Sequence, residues 1–326
     1  MASLTSTNRE KMPDIAFVVP CYNEQEALNF TIPALLSLLE ALKSDHQCGK
    51  ESFIVLIDDG SEDDTWARIS TATKQWPRRV RGIRLASNYG HQRALLCGMQ
   101  YAETRCDAAI TMDADLQHDL SAIPKLIQKF VEGFEIVLAV RVNRERDQIL
   151  KRVSAEGFYW LLKHLGVSVV RNHADFRLMS AKSLANLSKF QESNLFLRAF
   201  PPLLHRKIAT IEFEVRDRAA GVSKYTLSKM LGLAWDGITS FSTVPLRLVS
   251  ISGILIFGAS IAMVVYAVAS ALAGATVAGW ASIVIPLYFL GGLIMLSIGI
   301  VGEYVAKVLI EAKKRPRFLI DEFLED

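Results

Sequence analysis

Four times in the first 120 residues, a short run of apolar and β-branched residues stops in a polar cluster and gives way to a helical pattern. Ile15 to Val19 runs into Pro20-Cys-Tyr-Asn-Glu24 and a helix from Glu26 to about Lys43. Phe53 to Ile57 ends in Asp58-Asp-Gly-Ser61, and Asp63 and Asp64 then open a second helix, where the helix dipole favours acidic residues. Gly82 to Leu85 leads into Ser87-Asn-Tyr-Gly90 and a helix from about Gln92 to Glu103. The fourth run, from Ala109, ends in Asp113-Ala-Asp-Leu-Gln117. Strands alternating with helices predict an α/β fold with a mainly parallel, doubly wound sheet.

In such sheets the ligand crevice lies beyond the carboxyl ends of the strands. Tyr22, Asn23, Glu24, Asp58, Asp59, Asn88, Asp113 and Asp115 are therefore expected to converge. Any one cluster could merely cap the helix that follows it. Four in succession point to a shared site. In an extended segment Asp113 and Asp115 lie on one side, so both could reach a hard cation such as Mg2+ or Mn2+, and Gln117 continues that face. The first strand is followed by no GxGxxG loop, and no GxxxxGK[ST] occurs. A nucleotide bound here would need its diphosphate neutralised through a cation held by the acidic loops.

Further along, Glu135 to Val140 reads as a fifth strand, followed by a charged stretch from Arg141 to Arg152 that suits a solvated loop and helix start. In Asn172 to Met179, Asp175 and Arg177 alternate with Phe176 and Leu178 as on a half-buried strand, and Ile208 to Val215 reads as another strand. Arg218, Gly221, Ser223, Lys224 and Tyr225 form either an anion-clasping loop or an exposed basic turn. Thr226 to Thr243 has helical spacing, with Leu227, Met230, Leu231, Ala234, Trp235, Ile238 and Phe241 on one stripe. Core packing and a membrane-surface helix both fit that stripe.

From Leu248 to Gly302 there is no Asp, Glu, Lys or Arg. Leu248 to Leu272 and Trp280 to Gly302 are each long enough to cross a bilayer, with Gly274 to Gly279 as the turn between them. Arg247 precedes the first span, and Lys307, Lys313, Lys314, Arg315 and Arg317 follow the second. The positive-inside rule then puts both ends of the hairpin and the large domain in the cytosol.

The whole-chain totals add exclusions. A net charge of +3 without basic clustering over a whole domain argues against a nucleic-acid binder. Cys21, Cys48, Cys97 and Cys106 lack CxxC spacing and read as reduced cytosolic residues. The polar stretch Met1 to Pro13 lacks the apolar region of a signal peptide.

With these residues in view, the chain resembles the family-2 glycosyltransferases that act on polyprenyl phosphates, the bactoprenol glucosyltransferases and their dolichol-phosphate mannose synthase relatives. The resemblance rests on the four strand-end clusters together with Asp175-Phe-Arg-Leu-Met-Ser180, Gly221-Val-Ser-Lys-Tyr225, Gly237-Ile-Thr-Ser-Phe-Ser242 and Gly302-Glu-Tyr304. It implies a GT-A fold and an inverting transfer from a nucleotide sugar, with glucose from UDP-glucose the favoured donor, onto undecaprenyl phosphate. Mannose, N-acetylhexosamine and aminoarabinose are the alternative sugars. By the same resemblance Pro20, Tyr22, Asn23, Glu24, Asp58, Asp59, Asn88, Gly90 and Asp113 bind the nucleotide sugar, and Asp113, Asp115 and Gln117 hold Mg2+ or Mn2+. Asp175 and Arg177 are the catalytic candidates, and Arg218, Ser223, Lys224 and Tyr225 close over the phosphates. A homo-oligomer is also implied. Two departures bear on donor specificity: Asp119-Leu120 replaces a proline-containing pair, and Ser87 stands where an arginine is frequent.

The expected organisation is a cytosolic GT-A domain over residues 1–225, an interfacial helix over 226–243, a transmembrane hairpin over 244–305 and a basic cytosolic tail over 306–326, in a plasma or inner membrane. A processive polysaccharide synthase is disfavoured because the QxxRW segment is missing. A membrane scaffold that keeps the fold without the chemistry is disfavoured because Asp113, Asp115, Asp175 and Lys224 are all present.

Overall fold

The computed structural model describes residues 12–141, 173–192, 197–213, 244–273 and 280–325. These fall into two compact units, one containing the sheet and residues 316–325, the other containing the two long apolar helices.

The sheet unit holds eight strands: β1 (Ile15–Cys21), β2 (Phe53–Asp58), β3 (Val80–Leu85), β4 (Ala108–Thr111), β5 (Ile136–Arg141), β6 (His173–Ser180), β7 (Ile208–Phe213) and β8 (Ile320–Leu324). Their order is β7-β5-β6-β4-β1-β2-β3-β8. The β1–β2, β2–β3, β1–β4 and β5–β7 pairs are parallel. Antiparallel pairing joins β6 to both β4 and β5, and β8 to β3. The expected mainly parallel sheet is therefore present in mixed form.

Every residue of β1 and β2 is buried, as expected for central strands covered on both faces. One face carries Ile15, Phe17, Val19, Ile54 and Leu56, packed under α1 (Leu28–Ser44), α2 (Thr65–Gln75) and α4 (Ile123–Val131). The other is covered by α3 (His91–Ala102). There a Cβ on Gly98 would come within 2.4 Å of Val18 and 2.6 Å of Ile57, so α3 lies closer to the sheet than any larger residue would permit. That close seat fixes the start of α3 at the carboxyl ends of β1, β2 and β4.

Pro20 lies inside a central strand, where proline normally removes a ladder hydrogen bond. Val18 faces β4 and accepts from the Met112 N–H, so Pro20, two residues on, faces the same side just where β4 has ended. Its missing donor costs no ladder bond.

Two expectations change. Residues Asp175 to Ser180 of β6 are buried throughout, so the alternation of charged and apolar residues does not mark a half-buried strand. The strand is internal to the sheet, between β4 and β5, and both its faces are covered. The second change concerns the basic tail over 306–326. Residues to Ala312 continue a helix, and Ile320 to Leu324 form β8, the antiparallel edge strand beside β3. Short helices α5 (Ala181–Ser188) and α6 (Pro201–Leu204) complete the unit.

The second unit contains α7 (Val244–Leu272) and α8 (Trp280–Ala312), which pack against each other. Both are long and apolar enough to cross a membrane. They run beyond the predicted spans: α7 begins four residues earlier than Leu248, and α8 continues past Gly302 through Glu303, Lys307 and Glu311. The loop of Arg218, Ser223, Lys224 and Tyr225 and the Thr226 to Thr243 stripe lie outside the described residues.

Candidate active site

The loops after β1, β2 and β3 are joined side chain to backbone. Asn23, in the left-handed region at φ 53°, donates its N–H to Ser61 Oγ at 3.0 Å and accepts from the Glu62 N–H at 2.9 Å. The Glu24 N–H reaches Thr65 Oγ1 at 2.9 Å, and Asp58 Oδ1 accepts from the Ser61 N–H at 3.1 Å. Asp59 carries the connection onward, accepting from the Tyr89 N–H at 2.8 Å and the Gly90 N–H at 2.9 Å. Gly60 is the hinge of this arrangement. Its φ is +66°, and a Cβ there would lie 2.5 Å from the Ser87 carbonyl carbon and 2.7 Å from the Asn88 nitrogen. Only glycine satisfies both conditions.

Asp58 and Asp59 are both buried, and burial pushes both carboxyl pKa values up, against the hydrogen bonds that lower them. In this structure Asn23, Asp58 and Asp59 therefore hold the loops in register. Pro20 is buried, whereas Tyr22 is 37% exposed and presents its ring at the open end of β1.

Asp113, Asp115 and Gln117 are arranged differently from the extended segment the spacing suggested. β4 ends at Thr111, and Ala114 and Asp115 lie in a turn. Asp115 Oδ1 accepts from the Gln117 N–H at 3.1 Å, and Leu116 takes a left-handed φ of 54°. An aspartate that bonds the backbone two residues on competes with strand geometry, which is why the run stops being extended here. Asp115 thus sits in a turn and not on a strand face shared with Asp113.

Two histidines adjoin this turn. His118 is buried, stacked on Phe176 at 4.8 Å with Phe213 edge-on at 5.7 Å. Its Nδ1 accepts from the Asp113 N–H at 3.3 Å, which places the ring proton on Nε2, 3.5 Å from Asp113 Oδ2. Burial pulls its pKa down, opposed by the charge of Asp113. His91, the first residue of α3, puts Nε2 3.5 Å from Asp113 Oδ1 and 3.7 Å from Asp175 Oδ2. It therefore spans the acidic turn and β6.

Asp175 is 7% exposed, and its partner is Arg198: Nη2 lies 3.0 Å from Oδ2 and Nε 3.3 Å from Oδ1. Burial alone would raise this carboxyl. The Arg198 charge and hydrogen bonds, followed by Arg177 and His91, outweigh it and hold the pKa well below the ordinary carboxylate range. Arg177 is 1% exposed and donates from Nη1 to the Leu197 carbonyl at 2.9 Å. It is buried, and its charge is among those that lower the Asp175 pKa.

The structure thus joins the β1, β2 and β3 loops to α3, and α3 to Asp113 and Asp175. His91, His118 and Arg198 are the additions. His91 directly follows the Ser87-Asn-Tyr-Gly90 cluster and His118 directly follows Gln117, so proximity to a motif could have drawn attention to them. Arg198 carries no local signal, because its partner is 23 residues away.

Among the described residues, no three His, Cys, Asp or Glu side chains form a metal cluster. The donor set nevertheless suits a hard cation completed by substrate, since Mg2+ is commonly held by one or two carboxylates, waters and the oxygens of a phosphate ligand. Asp113, about one-third exposed, and Asp115 supply such a pair.

The sheet is parallel at its centre, with acidic loops at the carboxyl ends of its strands. The model of glycosyl transferase family 2 matches residues 16–187, and the chain belongs to that family. It is 42% identical to the uncharacterized glycosyltransferase YkoT of Bacillus subtilis over 96% of this chain and 93% of that protein. It is 37% identical to the prophage bactoprenol glucosyl transferase homolog of Escherichia coli over 94% and 98% of the two chains. The bactoprenol glucosyl transferase of Shigella phage SfX is 35% identical, again over 94% and 98%.

Proposed function

We propose that this glycosyltransferase moves a hexose from a nucleotide sugar, with UDP-glucose the favoured donor, onto a polyprenyl phosphate in the membrane. The supporting observation is that relatives named for transfer to bactoprenol match 94% of this chain, a span that takes in both the acidic sheet ends and the two long apolar helices. A long prenyl chain stays in the bilayer while its phosphate reacts, so an enzyme for it needs both parts. By the positive-inside rule, Arg247 and the cluster from Lys307 to Arg317 support a cytosolic sheet unit.

In the proposed reaction a phosphate oxygen of the lipid attacks the anomeric carbon. The new carbon–oxygen bond forms as the bond to the nucleoside diphosphate breaks, with inversion. Asp113 and Asp115 would hold Mg2+ or Mn2+, which when bound offsets the charge of the leaving diphosphate. Asn23, Asp58 and Asp59 keep the nucleotide-side loops in register, and Tyr22 offers a ring to the base. The basic loop of Arg218, Ser223, Lys224 and Tyr225 is assigned to the phosphates. A phosphate monoester has its second pKa near about 6, so much of the acceptor is already dianionic at neutral pH and needs no strong base. Asp175, held ionised by Arg198, then serves to position the acceptor.

The test pairs radiolabelled nucleotide sugars with undecaprenyl phosphate and Mn2+ or Mg2+ in detergent micelles. Label that partitions into the organic phase supports the lipid transferase and identifies the sugar. Polymeric label would indicate a processive synthase, and no turnover with any donor would indicate a scaffold.

A further inference from the structure

Leu197 is held at both of its backbone polar groups by residues that no strand-end motif contains. The Leu197 N–H donates to Gln92 Oε1, on α3, at 2.9 Å, and the Leu197 carbonyl accepts from Arg177, on β6, at 2.9 Å. Leu197 and Arg177 are each 1% exposed, so the bond between them is not readily exchanged for water. With the N–H and the carbonyl of Leu197 both held, the next residue has little freedom in where it starts. Arg198 uses that fixed start to present two guanidinium nitrogens, Nε and Nη2, to the two oxygens of Asp175.

A two-point contact does more than offset charge. The terminal torsion of an aspartate is broad and sets no plane of its own, whereas a guanidinium fork fixes the plane of the carboxylate it pairs with. His91 approaches Oδ2 of the same carboxylate at 3.7 Å from α3, the helix that also supplies Gln92. Arg177 also supports the segment that carries Arg198, through its bond to the Leu197 carbonyl.

We infer that Arg198 is the positioning residue of the transfer site: anchored through Leu197 by Gln92 and Arg177, it sets the orientation of the Asp175 carboxylate. The inference rests on the proposed role of Asp175 in the transfer reaction. Because Arg198 acts through Asp175, its removal should have no effect of its own once Asp175 can no longer serve.

The experiment is a double-mutant cycle on the full-length enzyme in detergent, following lipid-linked product with enough enzyme to measure rates about 10⁴-fold below wild type. Arg198→Gln is expected to lower kcat about 100-fold, the scale of a misplaced reacting group, with the KM for the nucleotide sugar within about threefold of wild type. Arg198→Lys keeps the charge but not the fork and should fall between them. In the Asp175→Asn background, adding Arg198→Gln should change kcat by less than about threefold, a non-additive result expected of residues that act as one unit. Independent losses that multiply would overturn the inference while leaving Asp175 in place. So would an Arg198→Gln enzyme whose kcat stays within about threefold of wild type, or one altered only in donor KM. An Asp175→Asn enzyme at the wild-type rate would remove the role of Asp175 and this inference with it. UDP binding in the presence of Mn2+ and the thermal unfolding midpoint are measured for each variant. If Arg198→Gln fails to fold, Arg198→Lys takes its place in the cycle, with the same non-additivity expected.

Discussion

Tyr101 and Glu325 stand 224 positions apart in the sequence and share a hydrogen bond of 2.6 Å from the phenol to the carboxylate. Around it, Arg105 Nε lies 3.3 Å and Arg81 Nη1 3.4 Å from the same oxygen, and Phe323 packs on the Tyr101 ring at 5.1 Å. Trp66 donates to Glu322 at 3.0 Å, the Ala86 N–H donates to the Leu319 carbonyl at 2.9 Å, and Arg317 donates to the Phe190 carbonyl. The end of the chain that follows α8 is thus part of the catalytic sheet. It covers the β3 edge, whose backbone groups would otherwise be left for another strand.

The Tyr101 hydroxyl and the two arginines outweigh burial and lower the Glu325 pKa. A depressed carboxyl adds stability that is full above its unfolded value, near about 4.3, and disappears as pH falls through the folded value. Glu325→Gln should therefore cost about 0.5–1 kcal/mol at pH 7, the contribution being reduced by partial exposure, and much less near pH 3. Urea unfolding of the detergent-solubilised protein at the two pH values checks this. An equal loss at both would show that the charge is not involved.

Gly60 joins the β2 loop to the Ser87–Gly90 loop at a positive φ with no space for a Cβ. Gly60→Ala should destabilise the sheet unit by about 1–3 kcal/mol, from left-handed strain and backbone overlap together. It should also raise the donor KM, because the loops after β2 and β3 would separate. Thermal unfolding and donor titration measure the two effects on one variant.

Asp113→Asn and Asp115→Asn should each lower kcat by about 10²–10³-fold while leaving the unfolding midpoint within a few degrees of wild type. Chelation with EDTA should abolish turnover, and added Mn2+ or Mg2+ should restore it in wild type. Full activity in EDTA would exclude the cation role assigned to this pair.

Asp175 faces Arg198, Arg177 and His91, and its lowered pKa keeps it ionised through the range of an activity assay. The wild-type rate should rise with pH near the second ionisation of the acceptor phosphate, about 6, with no separate step from Asp175 above pH 5. Asp175→Asn should be slow by a similar factor from pH 6 to pH 9. Recovery of its rate as pH rises would instead identify Asp175 as a general base.

Much of this molecule could be read in advance because it depends on short-range rules. Apolar runs of four or five residues ending in Asn, Asp and Gly become parallel strands with loops at one end, and a stretch of 55 residues without a charged side chain becomes two long apolar helices. Asp113, Asp115 and Asp175 were visible because their motifs are contiguous. The tertiary structure decided matters that no local pattern contains. β8 is five residues with an acidic centre, and it became a strand only because β3 had an open edge. Arg177 and Arg198 carry the same charge in the sequence, but the sheet buries the first, which holds the Leu197 carbonyl, while the second extends from beside that anchored leucine to pair with Asp175. Propensity and periodicity act over a few residues, whereas burial and ion pairing depend on which distant segments the fold brings together.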